Sequence, residues 1–217
     1  MSDIQFDGLT RRFRDRAVVR EASGHIQSGE FVVVLGRSGC GKSTLLNLLA
    51  GLDRPDGGRV RFSEHAFEAM SDRALTLLRR RRIGLIFQAY NLVPTLSVAE
   101  NVALPLELNG VTATQRVGQW LTRVGLEDFG DAMPEQLSGG EQQRVAVARA
   151  LVHEPEVIMA DEPTGNLDLA NAERVVALLD DLCREAGRTL LMVTHSQEVV
   201  GLADRLLTIR DGQLVLA

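Results

Sequence analysis

The chain has 217 residues, 45% hydrophobic and 24% charged, with a formal net charge of −5. That length suits one domain, or one domain carrying an inserted lobe, and the acidic balance offers no basic footprint for nucleic acid. No apolar run reaches the roughly 18 residues of a membrane-crossing helix, the N-terminus lacks a signal peptide's apolar core, and the two cysteines, Cys40 and Cys183, make no disulfide framework, so a reducing cytoplasm is the expected setting.

Residues 3–35 are expected to form short strands joined by turns. Phe13, in the basic stretch Arg11-Arg12-Phe13-Arg14, fits either base stacking or an edge-strand residue filling a small core. Ser28-Gly29-Glu30 is a turn feeding Phe31-Val32-Val33-Val34-Leu35, a continuous apolar run suited to a strand buried on both faces. Next comes Gly36-Arg37-Ser38-Gly39-Cys40-Gly41-Lys42-Ser43, and from Thr44 to Ala50 a helix closed by Gly51. Strand, glycine-rich turn and helix is the setting in which G-x-x-x-x-G-K-[ST] becomes a phosphate-binding loop. Its glycines let successive N–H groups curl into an anion nest at a helix N-terminus; Lys42 would reach the β- and γ-phosphates of a nucleoside triphosphate, and Ser43 would ligate Mg²⁺. Cys40 lies in the same nest, where a thiolate is favoured, or serves there only as a small residue.

Asp56-Gly57-Gly58 is a turn before Arg59-Val60-Arg61-Phe62. Residues 71–82 read as a helix capped by Ser71, with Arg79-Arg80-Arg81-Arg82 as a solvated end suited to the macrodipole. Ile83-Gly84-Leu85-Ile86-Phe87 is a buried strand with Gln88 at its carboxyl end. From Asn91 to about Glu135 the pattern is helical, with a capping box at Ser97 and Glu100 and a break or kink at Pro105. Leu92-Val93-Pro94 follows as a short apolar stretch, open to a partner or to the lobe's own core. Leu137-Ser138-Gly139-Gly140-Glu141 opens another helix with capping-box spacing, its buried stripe at Val145, Ala148, Leu151 and Val152. Val157–Ala160 is an apolar strand ending in Asp161-Glu162; Asp168 caps a helix to about Ala186, with Cys183 in its packed face; Leu190–Thr194 is a strand ending in His195; Leu206–Leu216 turns at Asp211-Gly212 as a hairpin.

The phosphate loop, Gln88, Asp161-Glu162 and His195 thus fall at carboxyl ends of buried strands, the edge where open α/β sheets bind ligands. Asp161 would hold the metal through water, and Glu162 would accept a proton from, or orient, the attacking water. Ser138 can cap its own helix and still donate to a phosphate, and Gly139 and Gly140 leave that helix start open as a second anion site. One triphosphate does not need two such sites on one chain, so the second is expected to serve a neighbouring copy.

The order of these motifs resembles the nucleotide-binding subunit of ABC ATPases over nearly the whole chain. The resemblance implies an α/β fold: a P-loop NTPase core with a mainly parallel buried sheet, an N-terminal antiparallel β subdomain and an inserted helical lobe. It places the core at about 1–88 and 155–217 and the lobe at about 89–154. It implies ATP and Mg²⁺ as ligands, contacts to nucleotide from Phe13 (as adenine-stacking residue), Gly36, Arg37, Ser38, Gly39, Cys40, Gly41, Lys42, Ser43 and Thr44, and catalytic roles for Glu162, His195 (the switch histidine) and Gln88 (the Q-loop residue). Ser43, Gln88 and Asp161 become the metal set. Ser138, Gly139, Gly140 and the D-loop Asp168 belong to a head-to-tail dimer that sandwiches two ATPs. Arg37 departs from the proline common there. Phe87–Val102 and Asp161-Glu162-Pro163-Thr164-Gly165-Asn166-Leu167-Asp168 look like the lipoprotein-release, macrolide-export and cell-division members. That implies an ATPase on the inner face of the cytoplasmic membrane, coupled to a separately encoded transmembrane subunit for export or extraction, with a regulatory, non-transport role as the alternative and a soluble repair or translation ATPase as a third reading.

Overall fold

Strand β3 (Phe31–Leu35) sets the layering, because its alternate residues enter two different apolar layers. Phe31 and Val33 face one, Val32 and Val34 the other, as the two-residue period of a strand requires. The computed structural model describes residues 2–14, 16–112, 114–196 and 199–216. In it β3 lies within a six-stranded sheet with β6 (Ile83–Phe87), β7 (Val157–Asp161), β8 (Thr189–Thr194), β9 (Arg205–Arg210) and β10 (Gln213–Leu216), in the order β10-β9-β3-β8-β7-β6. All pairings are parallel except the hairpin of β9 and β10. Asp211 and Gly212 both have positive φ (50° and 81°), the geometry an Asp-Gly hairpin turn demands.

Above one face lie β1 (Ile4–Phe13), β2 (Arg16–Ile26), β4 (Gly57–Phe62) and β5 (His65–Ala66) as an antiparallel sheet, with α1 (Lys42–Leu49) between the sheets and α2 (Asp72–Arg82) joining the same apolar layer through Leu75 and Leu78. Strands β1 and β2, at 10 and 11 residues, are longer than the expected short strands. They stay continuous because register shifts absorb the irregularity between Phe6 and Arg12, opposite the left-handed Glu21. Below the other face lie α3 (Val98–Leu108), α4 (Thr114–Arg123), α5 (Gly139–Leu151) and α6 (Leu169–Glu185), sharing one apolar cluster with the sheet.

Three expectations need correction. Pro105 does not break helix α3, which continues through it to Leu108. The capping box at Ser97 and Glu100 and the buried Val98, Val102 and Leu106 hold it, while Asn109 Nδ2 donates to the Pro105 carbonyl at 2.9 Å and closes the last turn. The arginines ending α2 are not merely solvated: Arg82 forks onto both oxygens of Glu156 and covers the Phe62 ring, and Arg79 donates to the Gly51 carbonyl. Helix α5 buries far more than one stripe, since Val145 through Ala148, Ala150 and Leu151 are all buried between the sheet and its neighbouring helices.

Candidate functional site

In the order β3-β8-β7-β6, four parallel strands end side by side, so the loops leaving their carboxyl ends meet at one edge. After β3 the loop turns into α1 at Gly41, whose φ is 108°; a Cβ there would sit 2.5 Å from the Val18 carbonyl oxygen, so only glycine fits. Helix α1 starts with no side-chain cap and no acidic residue in its first turn. Its leading N–H groups therefore keep both their donors and their positive field for a ligand.

Lys42 is 5% exposed. Its Nζ donates to the carbonyls of Gly36 (2.8 Å) and Arg37 (3.1 Å) and pairs with Glu162 Oε1 at 3.1 Å. The Ser43 hydroxyl donates to Asp161 Oδ1 at 2.9 Å. Glu162 is left-handed, φ 47°, and its N–H donates to the Val193 carbonyl, which holds the residue beside the end of β8. There Glu162 Oε2 accepts from the Thr194 hydroxyl (3.2 Å) and the His195 N–H (3.2 Å), and it meets His195 Nδ1 at 2.8 Å.

The two adjacent acids are pushed in opposite directions. Burial raises the Asp161 carboxyl above its ordinary value, against the Ser43 hydrogen bond, and the charge of Glu162 adds to the rise. Burial acts on Glu162 too, but hydrogen bonds from Lys42 and His195 outweigh it and hold that carboxyl below its ordinary value. Glu162 therefore stays an ionised acceptor near neutral pH.

Two adjacent hydrogen-bonded sets thus meet at this edge, Ser43 with Asp161 and Lys42 with Glu162 and His195. Gln88 is not part of it: its Nε2 approaches Asn166 Oδ1 at 3.4 Å, and Asn166 Nδ2 donates to the Gln88 carbonyl at 2.9 Å. Asn166 was legible only as part of the stretch before Asp168, with no signal of its own. A cleft of about 740 Å³ lies beside the phosphate loop, lined by Gly36 through Cys40, Arg16, His195 and Thr208 through Asp211. Phe13 pairs with Arg16 across the β1–β2 ladder and is 50% exposed under the Arg11 guanidinium, so it fills no core. Cys40 is half-buried beside Gly36 and packs on the apolar layer under the loop.

The second expected anion site has a different state. Ser138 caps α5, but its hydroxyl donates to Glu141 Oε2 at 2.5 Å, and its own N–H donates there at 2.8 Å. The Glu141 carboxylate thus holds the Ser138 N–H and hydroxyl, but it does not take the N–H groups of Gly139 and Gly140. Asp168 caps α6 and also accepts from Asn171 Nδ2 at 2.6 Å. Leu92 packs against the lobe's core. An apolar groove of about 380 Å³ lies between Ile83, Leu85 and Phe87 of β6 and Leu104, Pro105 and Leu108 of α3, with Asn91 in its lining.

The family model for ABC transporters matches residues 19–165. An uncharacterized ABC transporter ATP-binding protein of Mycobacterium tuberculosis is 45% identical over 99% of this chain and 89% of its own length. The lipoprotein-releasing system ATP-binding protein LolD of Maricaulis maris is 44% identical over 99% of this chain and 97% of its own. The solved dimeric structure of MJ0796, a bacterial ABC transporter cassette, superposes with a TM-score of 0.90 at 38% identity, covering 97% of this chain and 96% of that one; its post-hydrolysis state bound to ADP and phosphate superposes with 0.89. With the family model spanning more than half of its length and such relatives matching end to end, this chain belongs to the ABC transporter family and has the ABC ATPase fold.

Proposed function

We propose that the chain is the ATP-hydrolysing motor subunit of a membrane ABC complex, working as a head-to-tail pair. The observation that carries this reading is the convergence of Lys42, Ser43, Asp161, Glu162 and His195 at one sheet edge, beside an uncapped helix start. Gly36 through Thr44 would wrap the phosphates, and exposed Phe13 would stack on the adenine. Lys42 would leave Glu162 for the β- and γ-phosphates, which frees the Glu162 carboxylate to orient the attacking water and take its proton. His195, anchored through Nδ1 on Glu162, keeps its other ring nitrogen for the γ-phosphate. Ser43 and Asp161 set two hard oxygen donors 2.9 Å apart, a donor set that fits Mg²⁺, with Gln88 as a further ligand once it leaves Asn166. Bound Mg²⁺ would neutralise charge on the transferring phosphoryl group. Ser138, Gly139, Gly140 and Asp168 would complete the other copy's site.

The division into a core at about 1–88 and 155–217 and a lobe at about 89–154 is part of the same reading. Among the described residues no helix is long and apolar enough to cross a membrane. A separate transmembrane subunit would bring the chain to the cytoplasmic face of the inner membrane. Its cytoplasmic segment would enter the groove between β6 and α3, where apolar walls meet Arg79, Arg80 and His153. The reading is tested by steady-state hydrolysis of ATP by the purified chain: Lys42→Ala should remove at least about 99% of the activity. Full activity in that variant would overturn it. Leu85→Glu, in the groove wall, should leave basal hydrolysis and abolish co-purification of the membrane subunit.

A further inference from the structure

Two residues past Gln88, the backbone enters a conformation that it does not take unaided. Tyr90 and Asn91 are both left-handed, with φ of 58° and 52°. Asparagine tolerates that region, but a bulky aromatic there is rare, and two in succession need an outside hold. Helix α5 supplies it. Arg149, in the last turn of α5, donates one guanidinium N–H to the Tyr90 carbonyl and another to the Asn91 carbonyl, each at 2.6 Å. Burial lowers the Arg149 pKa, and among the described residues no carboxylate forms an ion pair with it. A desolvated guanidinium is unfavourable unless its donors are matched, and here two adjacent backbone oxygens match the planar fork.

The same helix reaches this segment with its other end. The Tyr90 hydroxyl lies so close to Gly139, the first residue of α5, that a Cβ there would come within 2.9 Å of it. From the opposite side Asn166 holds the Gln88 carbonyl. The segment from Gln88 to Asn91 is therefore fixed between the start of α5, the end of α5 and the stretch that leads from Glu162 to Asp168.

We propose that Arg149 is a positioning residue for ATP hydrolysis: its fork on the Tyr90 and Asn91 carbonyls holds the strained turn that places Gln88 at the phosphate edge. It does not touch nucleotide. It acts through Gln88, and so ties the position of that glutamine to helix α5, whose first residues would serve the other copy's site. This inference rests on the proposed role of Gln88 at the ATP site.

The chain has one tyrosine and one tryptophan, which makes the test direct. Fluorotyrosine and fluorotryptophan each give a single ¹⁹F resonance, one reporting on Tyr90 and the other on Trp120 in the lobe's core. These are recorded for the parent chain, Arg149→Ala and Arg149→Lys, with steady-state ATP hydrolysis over a range of Mg-ATP. Arg149→Lys keeps the stem and the charge but loses the fork, so it carries the test if the alanine variant shows a non-native Trp120 resonance. The expected result is a native Trp120 resonance, a displaced Tyr90 resonance, kcat about tenfold lower and KM within about twofold of the parent, because orientation is lost while nucleotide contacts remain. An unmoved Tyr90 resonance, or an unchanged kcat, overturns the inference. Lys42→Ala run alongside separates the two readings: if it too hydrolyses ATP at the parent rate, the ATP site itself is misassigned, and if it is inactive while Arg149→Lys is unimpaired, only the role of Arg149 falls.

Discussion

Helices α1 and α5 both start at glycines beside a site for phosphate, yet they are built differently. The start of α1 has no side-chain cap and no acid, and its cation, Lys42, is held aside by Glu162. The start of α5 carries its own anion: Glu141 accepts from both the N–H and the hydroxyl of Ser138. An uncapped start gains donors and field from any phosphate that arrives. At the start of α5 a phosphate would meet the like charge of Glu141 beside the Gly139 and Gly140 N–H groups. On the proposed reading, the first binds nucleotide on its own chain and the second is added to that site by another copy.

The largest effect expected from breaking this contrast lies on the α1 side. Glu162→Gln keeps the shape and removes the base, so turnover of ATP should fall at least about 10²-fold while ATP still binds. Measured turnover near that of the parent would take Glu162 out of the chemistry. On the α5 side, Glu141→Gln keeps an acceptor for the Ser138 N–H but removes the negative charge at the helix start. The ATP concentration needed for dimerisation, followed by light scattering, should drop severalfold, about three to ten, since a like charge no longer opposes the phosphate. No change would mean that Glu141 is already clear of the phosphate path.

The smallest effect concerns stability, and it differs in sign between neighbours. Glu162→Gln breaks the pairing of a nearly buried Lys42 and should cost about 1–2 kcal/mol in denaturant unfolding, since the amide retains hydrogen bonds. Asp161→Asn removes a carboxylate whose burial disfavours its charge, and should be neutral or slightly stabilising. The pH dependence has the same signs. Because Glu162 titrates below its unfolded value, the stability it adds is present above the ordinary carboxylate range and is lost as pH falls through its lowered pKa. Asp161 titrates above its unfolded value, so its contribution runs the other way. The acid limb of the stability curve should flatten in Glu162→Gln and steepen in Asp161→Asn.

What the sequence revealed of this contrast, and what it hid, has a physical basis. Strands β3, β7 and β8 are continuous apolar runs because both faces are buried, and the phosphate loop is legible because glycines must sit at fixed offsets. Ser71, Ser97, Ser138 and Asp168 announce helix starts because a cap depends on residues three apart. The Lys42–Glu162 pair joins residues far apart in the chain, and no local pattern encodes it. Pro105 reads locally as a breaker, but the buried face of α3 outweighs one missing hydrogen bond. Glu141 shows the limit most clearly: its capping-box spacing was visible, yet that the box also takes the Ser138 hydroxyl depends on rotamers alone. Arg149 is similar, since its fork onto two carbonyls depends on two φ angles some 58 residues away.

The claim that the two helix starts are complementary halves of sites shared between copies is tested most directly by forced heterodimers. One chain carries Lys42→Ala, which disables its own α1 site; the other carries Ser138→Arg, which disables the α5 half it would lend. Both chains also carry Glu162→Gln to stop turnover, and occluded ATP is counted per dimer after rapid desalting. If each site joins the α1 start of one chain to the α5 start of the other, both defects fall on one site and about one ATP is retained per dimer. If each chain holds its own complete site, both sites are damaged, and a confirmed dimer retaining no ATP would contradict the account.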